Sequence, residues 1–284
     1  MNKESFLKEV LSPEAIVISP LQGGMMNESS IVSDGHKKYV LYISTTQANE
    51  MVDRELERKN QAIVFSLGIT SKNVYFDVEK GIKINEYIEG SSLDKINQYD
   101  IKKVAKLLQI LHSSTKLSKS DYNPFLRLEG YENELKKFVF SDEKMYLEIR
   151  DELFKHKTYL ESQKKVLCHN DAQKSNIIRS VDDEYFLIDF EFMGNNDPIY
   201  DIATFGNADV KEGFELLKEY APNPSKDLIK RYYLWRMFIS LQWYTVALIK
   251  HYRGEGKIHG YNFLDVAAHF LANAYVAYQE FKKI

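Results

Sequence analysis

The stretch from Val166 to Ala203, VLCHNDAQKSNIIRSVDDEYFLIDFEFMGNNDPIYDIA, constrains this chain more than any other part of it. Two short β-prone runs, Asn176–Arg179 and Tyr185–Asp189, are separated by the turn-prone VDDE, which reads as a hairpin. A hairpin returns the chain to its starting level, so Asn176 and Asp189 come to the same end of it. Just upstream, His169, Asp171 and Asn176 form an HxDxxxxN run, and Glu191 follows Asp189 by two residues. Any fold of this chain must therefore gather amide and carboxylate oxygens around one small hairpin.

The rest of the chain divides unevenly. At 284 residues it exceeds the length at which single cores usually split. Residues 1–90 mix strand-like pieces with one helix: Ile31–Val32 and Tyr39–Ile43 flank the turn SDGHKK, and Val74–Asp77 and Ile82–Ile88 flank Lys80–Gly81. Between these hairpins, residues 50–67 have helical spacing and stop at Gly68, a good residue just past a helix end. Beyond residue 90 long helical patterns dominate, at 101–112, within 131–162, at 225–252 and at 262–282. The expected class is α+β, with a small strand-rich lobe over 1–90 and a larger, mostly helical lobe over 91–284.

Composition removes several functions. Lys and Arg number 38 against 41 Asp and Glu, so the basic surplus that a nucleic-acid binder needs is missing. The most apolar long segment, 228–252, contains Lys230, Arg231, Arg236 and Gln242, which argues against membrane insertion. The single cysteine, Cys168, sits in an apolar run and reads as a buried structural thiol in a reducing, cytoplasmic protein.

The chemistry suggested by the central segment is phosphoryl transfer. In kinases one Asp orients the attacking hydroxyl, while an Asn and a later Asp hold magnesium on the nucleotide phosphates. Asp171 is then the base, Asn176 and Asp189 are oxygen ligands for magnesium, and Glu191 is a further metal ligand. His169 is assigned to bracing the loop. Near the N-terminus, QGGMMNES brings Gly23 and Gly24, whose bare backbone can approach phosphate closely, ahead of Asn27.

Together these residues resemble the choline and ethanolamine kinases, within the wider aminoglycoside phosphotransferase-like group. The likeness runs through GGMMN, the Arg54, Glu57 and Asn60 run, GIKINEYIEG, HNDAQKSN and LIDFEFMGNNDPIYDIA. It implies a protein-kinase-like two-lobed fold, ATP with magnesium as cofactors, and choline as the small-molecule partner. It also implies that Gln173 belongs to the active site, and that Glu57 orients a phosphate-binding basic residue. Adenine would bond to backbone within 85–89, placing Glu86, Tyr87 and Ile88 at the nucleotide. Asp201 would brace the catalytic loop.

One position departs from the resemblance. Such kinases carry Lys or Arg on the strand matching YVLYI, where this chain has Tyr42, and a phenol does not neutralise phosphate. Either a neighbouring base such as Lys37, Lys38 or Arg54 substitutes, or the pairing slips, or nucleotide handling is weakened, and Tyr42 motivates a further reading as a nucleotide- or choline-binding pseudokinase. For the acceptor, a quaternary ammonium is best held by aromatic faces. By resemblance Trp243 and the region from Tyr261 to Phe263 line that pocket, with Tyr200 nearby and Ser240 where the family often has a second Trp. Asp197 either faces the cation or stabilises the turn before Pro198. A pocket relying on carboxylates more than rings would favour ethanolamine, and the alternative acceptors are ethanolamine, thiamine or another small alcohol.

Overall fold

Alternation along the strand Lys38–Ser44 organises the first half of the molecule. The computed structural model describes residues 2–21, 27–46, 49, 52–138, 143–256, 260 and 262–284. These fall into two compact units: Met1–Tyr99 with Ser113–Ser120 and Lys174–Gly194, and Asp100–His112 with Asp121–Gln173 and Asn195–Ile284. The hairpin after the HxDxxxxN run thus belongs to the strand-rich unit, whereas Asp171 belongs to the helical one.

In the first unit, helix α1 (Lys3–Val10) is followed by β1 (Ile16–Leu21), β2 (Asn27–Ser33) and β3 (Lys38–Ser44), then helix α2 (Arg54–Ser66), β4 (Asn73–Asp77) and β5 (Ile82–Glu86). The strands form one antiparallel sheet in the order β1-β2-β3-β5-β4. Its apolar face buries Val32, Tyr39, Leu41, Ile82 and Ile84 with Leu7 of α1. A smaller sheet joins β6 (Gly90–Ser92), β7 (Ile177–Ser180) and β8 (Tyr185–Leu187), so the hairpin read from sequence is present. Its second strand stops at Leu187, two residues short of Asp189.

Helix α2 starts at Arg54, later than the periodicity implies, because Asp53 is extended and caps the Leu56 N–H at 2.9 Å. It ends where expected, with Gly68 at φ 74°. The strand β5 ends at Glu86 rather than Ile88.

The second unit is helical: α3 (Ile101–His112), α4 (Pro124–Leu135), α5 (Lys144–Lys155), α6 (Lys157–Glu161), α7 (Pro198–Phe205), α8 (Val210–Tyr220), α9 (Lys226–Tyr252) and α10 (Phe263–Phe281). The expected helical region over 131–162 is three helices beginning at Pro124, whose fixed φ suits a first turn. The two C-terminal helices lie where the pattern puts them, capped by Ser225 and Asn262. Every residue from Tyr232 to Gln242 is buried, so α9 has no solvent face there and is the axis of the unit. Its one cation in this stretch, Arg236, donates to Ala203 O at 2.7 Å and Asn207 Oδ1 at 2.9 Å, and also to Ser240 Oγ. Among the described residues, no helix is long and apolar enough to cross a membrane.

Candidate active site

In β3 and β5, Leu41 and Ile84 are directly opposed and both face the apolar core. The next pair, Tyr42 and Lys83, is also directly opposed and therefore projects to the other face of the sheet. Glu57 of α2 meets Lys83 there. Its Oε1 accepts from Lys83 Nζ at 2.5 Å and its Oε2 from Arg54 Nη1 at 2.6 Å. Burial alone would raise the Glu57 carboxyl, but Lys83 and then Arg54 outweigh it and hold it below its ordinary value. Burial would likewise lower the Lys83 ammonium; Glu57 and then Asp189 reverse this and hold it charged.

Asp189 stands 3.7 Å from Lys83 Nζ. Its Oδ1 is buried, and among the described residues nothing donates a hydrogen bond to it. The Asp189 backbone is left-handed at φ 66°, a conformation costing about 1 kcal/mol away from glycine. Immediately before it, the Ile188 N–H is fixed on Asn176 O at 3.0 Å. Glu191 receives Asn27 Nδ2 at 3.4 Å and lies 3.8 Å from Arg54 Nη1. Burial first, and then the Asp189 charge, push the Glu191 carboxyl up to about 8. Asp189 and Glu191 are close enough for one charge to raise the other, Asn176 is tied by its backbone to the residue before Asp189, and among the described residues Asp189 Oδ1 receives no hydrogen bond, a carboxylate setting that fits a hard divalent cation.

At the end of β5 the Glu86 N–H bonds Lys72 O at 2.9 Å, and just past it the Tyr87 N–H bonds Lys38 O at 3.1 Å. Among the described residues, no backbone hydrogen bond takes up the Ile88 N–H or carbonyl.

In the second unit, the loop carrying Asp171 hangs from a single buried carboxylate. Asp201 Oδ2 accepts from the His169 N–H at 2.8 Å and Oδ1 from the Asn170 N–H at 2.7 Å, with His112 Nε2 2.9 Å from Oδ2. Asn170 adopts φ 64°, and its Oδ1 accepts from Asn196 Nδ2 at 2.9 Å. His169 is fully buried and its Nδ1 accepts from the Asp171 N–H at 3.3 Å. Gln173 Nε2 donates to Asp171 Oδ2 at 3.1 Å. Cys168 is buried and its thiol is pushed well up, first by burial and then by the charges of Asp201 and Asp197.

Buried rings gather in the same unit. Tyr200 packs on Tyr122 with centroids 5.4 Å apart and on Trp235 at 5.2 Å. Burial, and with less weight the Asp171 charge, raises the hydroxyls of both Tyr131 and Tyr200. Asp197 caps α7: it accepts from the Ile199 N–H at 3.0 Å and from Trp235 Nε1 at 2.7 Å, with Arg231 Nε at 3.4 Å. Of its two roles open in the sequence, the turn is the one with bonds. Trp243 is half-buried and stacks on Phe270 at 6.1 Å, while Phe263 is buried with Lys250 Nζ 5.7 Å from its ring.

The sequence profile of the choline/ethanolamine kinase family matches residues 18–210. The chain belongs to this family. Protein LicA of Haemophilus influenzae is 26% identical over 276 residues, covering 91% of this chain and 79% of that protein. The crystal structure of choline kinase LicA from Streptococcus pneumoniae superposes with a TM-score of 0.78 at 24% identity, covering all of both chains. An ethanolamine kinase from Plasmodium vivax gives 0.71 at 20% identity, covering 95% and 85% of the two chains. The fold is therefore the protein-kinase-like one, and membership makes the chain a small-molecule kinase.

For a kinase of this family the phosphate side is where the sequence misleads. Lys37 and Lys38 are absent from the cluster: they pair with Glu86 at 3.9 Å and Glu89 at 2.7 Å at the other end of the sheet. Arg54 is present, held by Glu57, Ser44 and Asn49. The residue missed is Lys83. Its signal is a lysine inside the apolar run GIKINEYI, in alternation with two core isoleucines. Gly23, Gly24 and Tyr261 lie outside the described residues.

Proposed function

We propose that the protein transfers the γ-phosphoryl group of ATP to the hydroxyl of choline, giving phosphocholine and ADP. The observation that carries this reading is the setting of Asp171, a loop carboxylate held by Gln173 and felt electrostatically by the half-buried Tyr131 and the buried Tyr200. A base near aromatic side chains suits an alcohol whose cation has no N–H to donate. The LicA of Streptococcus pneumoniae, named as a choline kinase, supports the same acceptor.

In the reaction the choline oxygen attacks the γ-phosphorus, and the bond from that phosphorus to the β–γ bridging oxygen breaks. ADP departs with the electron pair, and Asp171 takes the hydroxyl proton and passes it to solvent. Magnesium, held by Asn176, Asp189 and Glu191, would supply charge neutralisation on the phosphates. The open Ile88 backbone groups are the hinge atoms best suited to adenine, with Glu86 and Tyr87 shaping the strand that presents them. Tyr200 contributes to the acceptor walls, and Trp243 and Phe263 are assigned to the outer part of that pocket.

A second reading, phosphorylation of ethanolamine, rests on Gln242. Its Oε1 is buried with no hydrogen-bond partner among the described residues, and its side chain bonds the Tyr122 hydroxyl. An amide oxygen of this kind suits an ammonium that carries N–H groups. The test is ADP release by the purified protein with ATP and magnesium across choline, dimethylethanolamine, methylethanolamine and ethanolamine. The proposal expects kcat/KM for choline to exceed that for ethanolamine by about tenfold or more. The reverse order would install the second reading, and a folded protein with no choline-dependent ADP would remove the first.

A further inference from the structure

The cation that kinases of this type place on β3 is missing, yet the site is not without one. Tyr42 occupies that strand position, and burial above all pushes its hydroxyl up to about 12, so it is a neutral ring at ordinary pH. Directly opposed residues on antiparallel strands project to the same face, with Cβ atoms about 5 Å apart. The residue opposed to Tyr42 is Lys83. Its Nζ lies 4.8 Å from the centre of the Tyr42 ring, 2.5 Å from Glu57 and 3.7 Å from Asp189. Lys83 thus meets the α2 glutamate and the DFE aspartate at once.

We propose that Lys83 is the phosphate-contacting cation of this enzyme, delivered from the strand next to the usual one, with the Tyr42 ring as the surface on which its side chain lies. This rests on the kinase reading but not on which alcohol is the acceptor. The other cation in the cluster is less suited. Arg54 already donates to Glu57, Asn49 and Ser44, so binding phosphate would require it to leave partners. Among the described residues Lys83 gives one hydrogen bond, to Glu57, and its second carboxylate neighbour, Asp189, is beyond hydrogen-bond distance. An ammonium has three donors, so capacity remains for a phosphate oxygen. The arrangement also explains why a tyrosine is tolerated on β3: a second long cation at position 42 would crowd Lys83 and repel it.

The alternative is that Lys83 only neutralises buried Glu57. Equilibrium binding of ATP, ADP and adenosine to wild type, Lys83→Arg, Lys83→Met and Glu57→Gln/Lys83→Met separates the two. If Lys83 touches phosphate, Lys83→Met and the double variant each weaken ATP and ADP by about 10- to 100-fold while adenosine affinity stays within about twofold, and Lys83→Arg keeps most of the ATP affinity. Adding Tyr42→Lys to Lys83→Met should then recover ATP affinity, because it returns the ammonium to the same face from the facing strand. The double variant removes both buried charges and so remains informative where Lys83→Met fails to fold. ATP affinity in the double variant equal to wild type, or equal losses for ATP and adenosine, would overturn the proposal. Wild-type protein that binds no ATP would instead overturn the kinase reading beneath it.

Discussion

In the second unit one buried carboxylate, Asp201, is satisfied by two backbone N–H groups and a histidine ring. In the first unit three carboxylates, Glu57, Asp189 and Glu191, share two cations, Lys83 and Arg54. Both clusters draw on the same short stretch of sequence, but they hold charge in different ways. Asp201 is fixed by donors that the fold supplies wherever the chain is folded, so the Asp171 loop is fully organised without any ligand. The other cluster is one positive charge short, and its imbalance appears as an Asp189 Oδ1 that among the described residues receives no hydrogen bond and a Glu191 carboxyl that resists ionisation. This contrast suits the roles proposed for them: a base must be in place before the acceptor arrives, whereas a site for metal and phosphate must leave room for charges that arrive with the nucleotide.

The largest expected effect is on the organised side. Asp171→Asn keeps the shape of the loop and the contact to Gln173 while removing the proposed base. Steady-state turnover should fall by about 10²–10⁴-fold, with ATP affinity and the thermal midpoint nearly unchanged. Turnover within about tenfold of wild type would mean that positioning alone drives the transfer. Asp201→Ala attacks the same side from beneath. It leaves the His169 and Asn170 N–H groups and the His112 ring without their buried acceptor, and should cost about 3 kcal/mol in urea unfolding with turnover falling alongside. A loss under about 1 kcal/mol would show that the loop is held by other contacts, and the contrast between the two clusters would disappear.

The two sides also differ in how far the sequence reveals them. The hairpin, the C-terminal helices and the Asp201 brace follow from local spacing and short motifs, which act over a few residues. The partner of Tyr42 does not, because it is 41 positions away along the chain (83 minus 42) and is fixed by strand register. Register depends on which residues of β3 and β5 reach the core, and only the paired strands show that Lys83, between Ile82 and Ile84, faces Glu57. Candidates near Tyr42 in sequence, Lys37 and Lys38, are on the same strand or the adjoining turn but a full strand's length from the cluster. The pseudokinase reading, motivated by Tyr42, loses its motive for the same reason. Asp197 is ambiguous in sequence because a carboxylate before proline serves a cap or a ligand equally well; its bonds to the Ile199 N–H and to the indole N–H of Trp235, from another helix, appear only in the folded chain.

The smallest expected effect tests the charge deficit itself, through pH. Glu191 has an ordinary value of 4.5 and sits at about 8 in the folded protein, so between these limits the folded state binds a proton that the unfolded state has lost. Where the native state holds more protons, stability falls as pH rises. Ligand-free protein should therefore be most relieved of this penalty below about pH 4.5, lose stability progressively toward pH 8, and lose no more from this group above it. Glu191→Gln, neutral at every pH, should flatten that portion of the curve and raise stability at pH 8 by a few kcal/mol at most, since each tenfold change in proton affinity is worth about 1.4 kcal/mol. Urea unfolding of the wild type and the variant at about pH 5.5, 7 and 8.5, with chelator present, measures it. Parallel curves for the two proteins would mean that Glu191 is already ionised and paired in the empty site, and that the first unit, like the second, is balanced before its ligand binds.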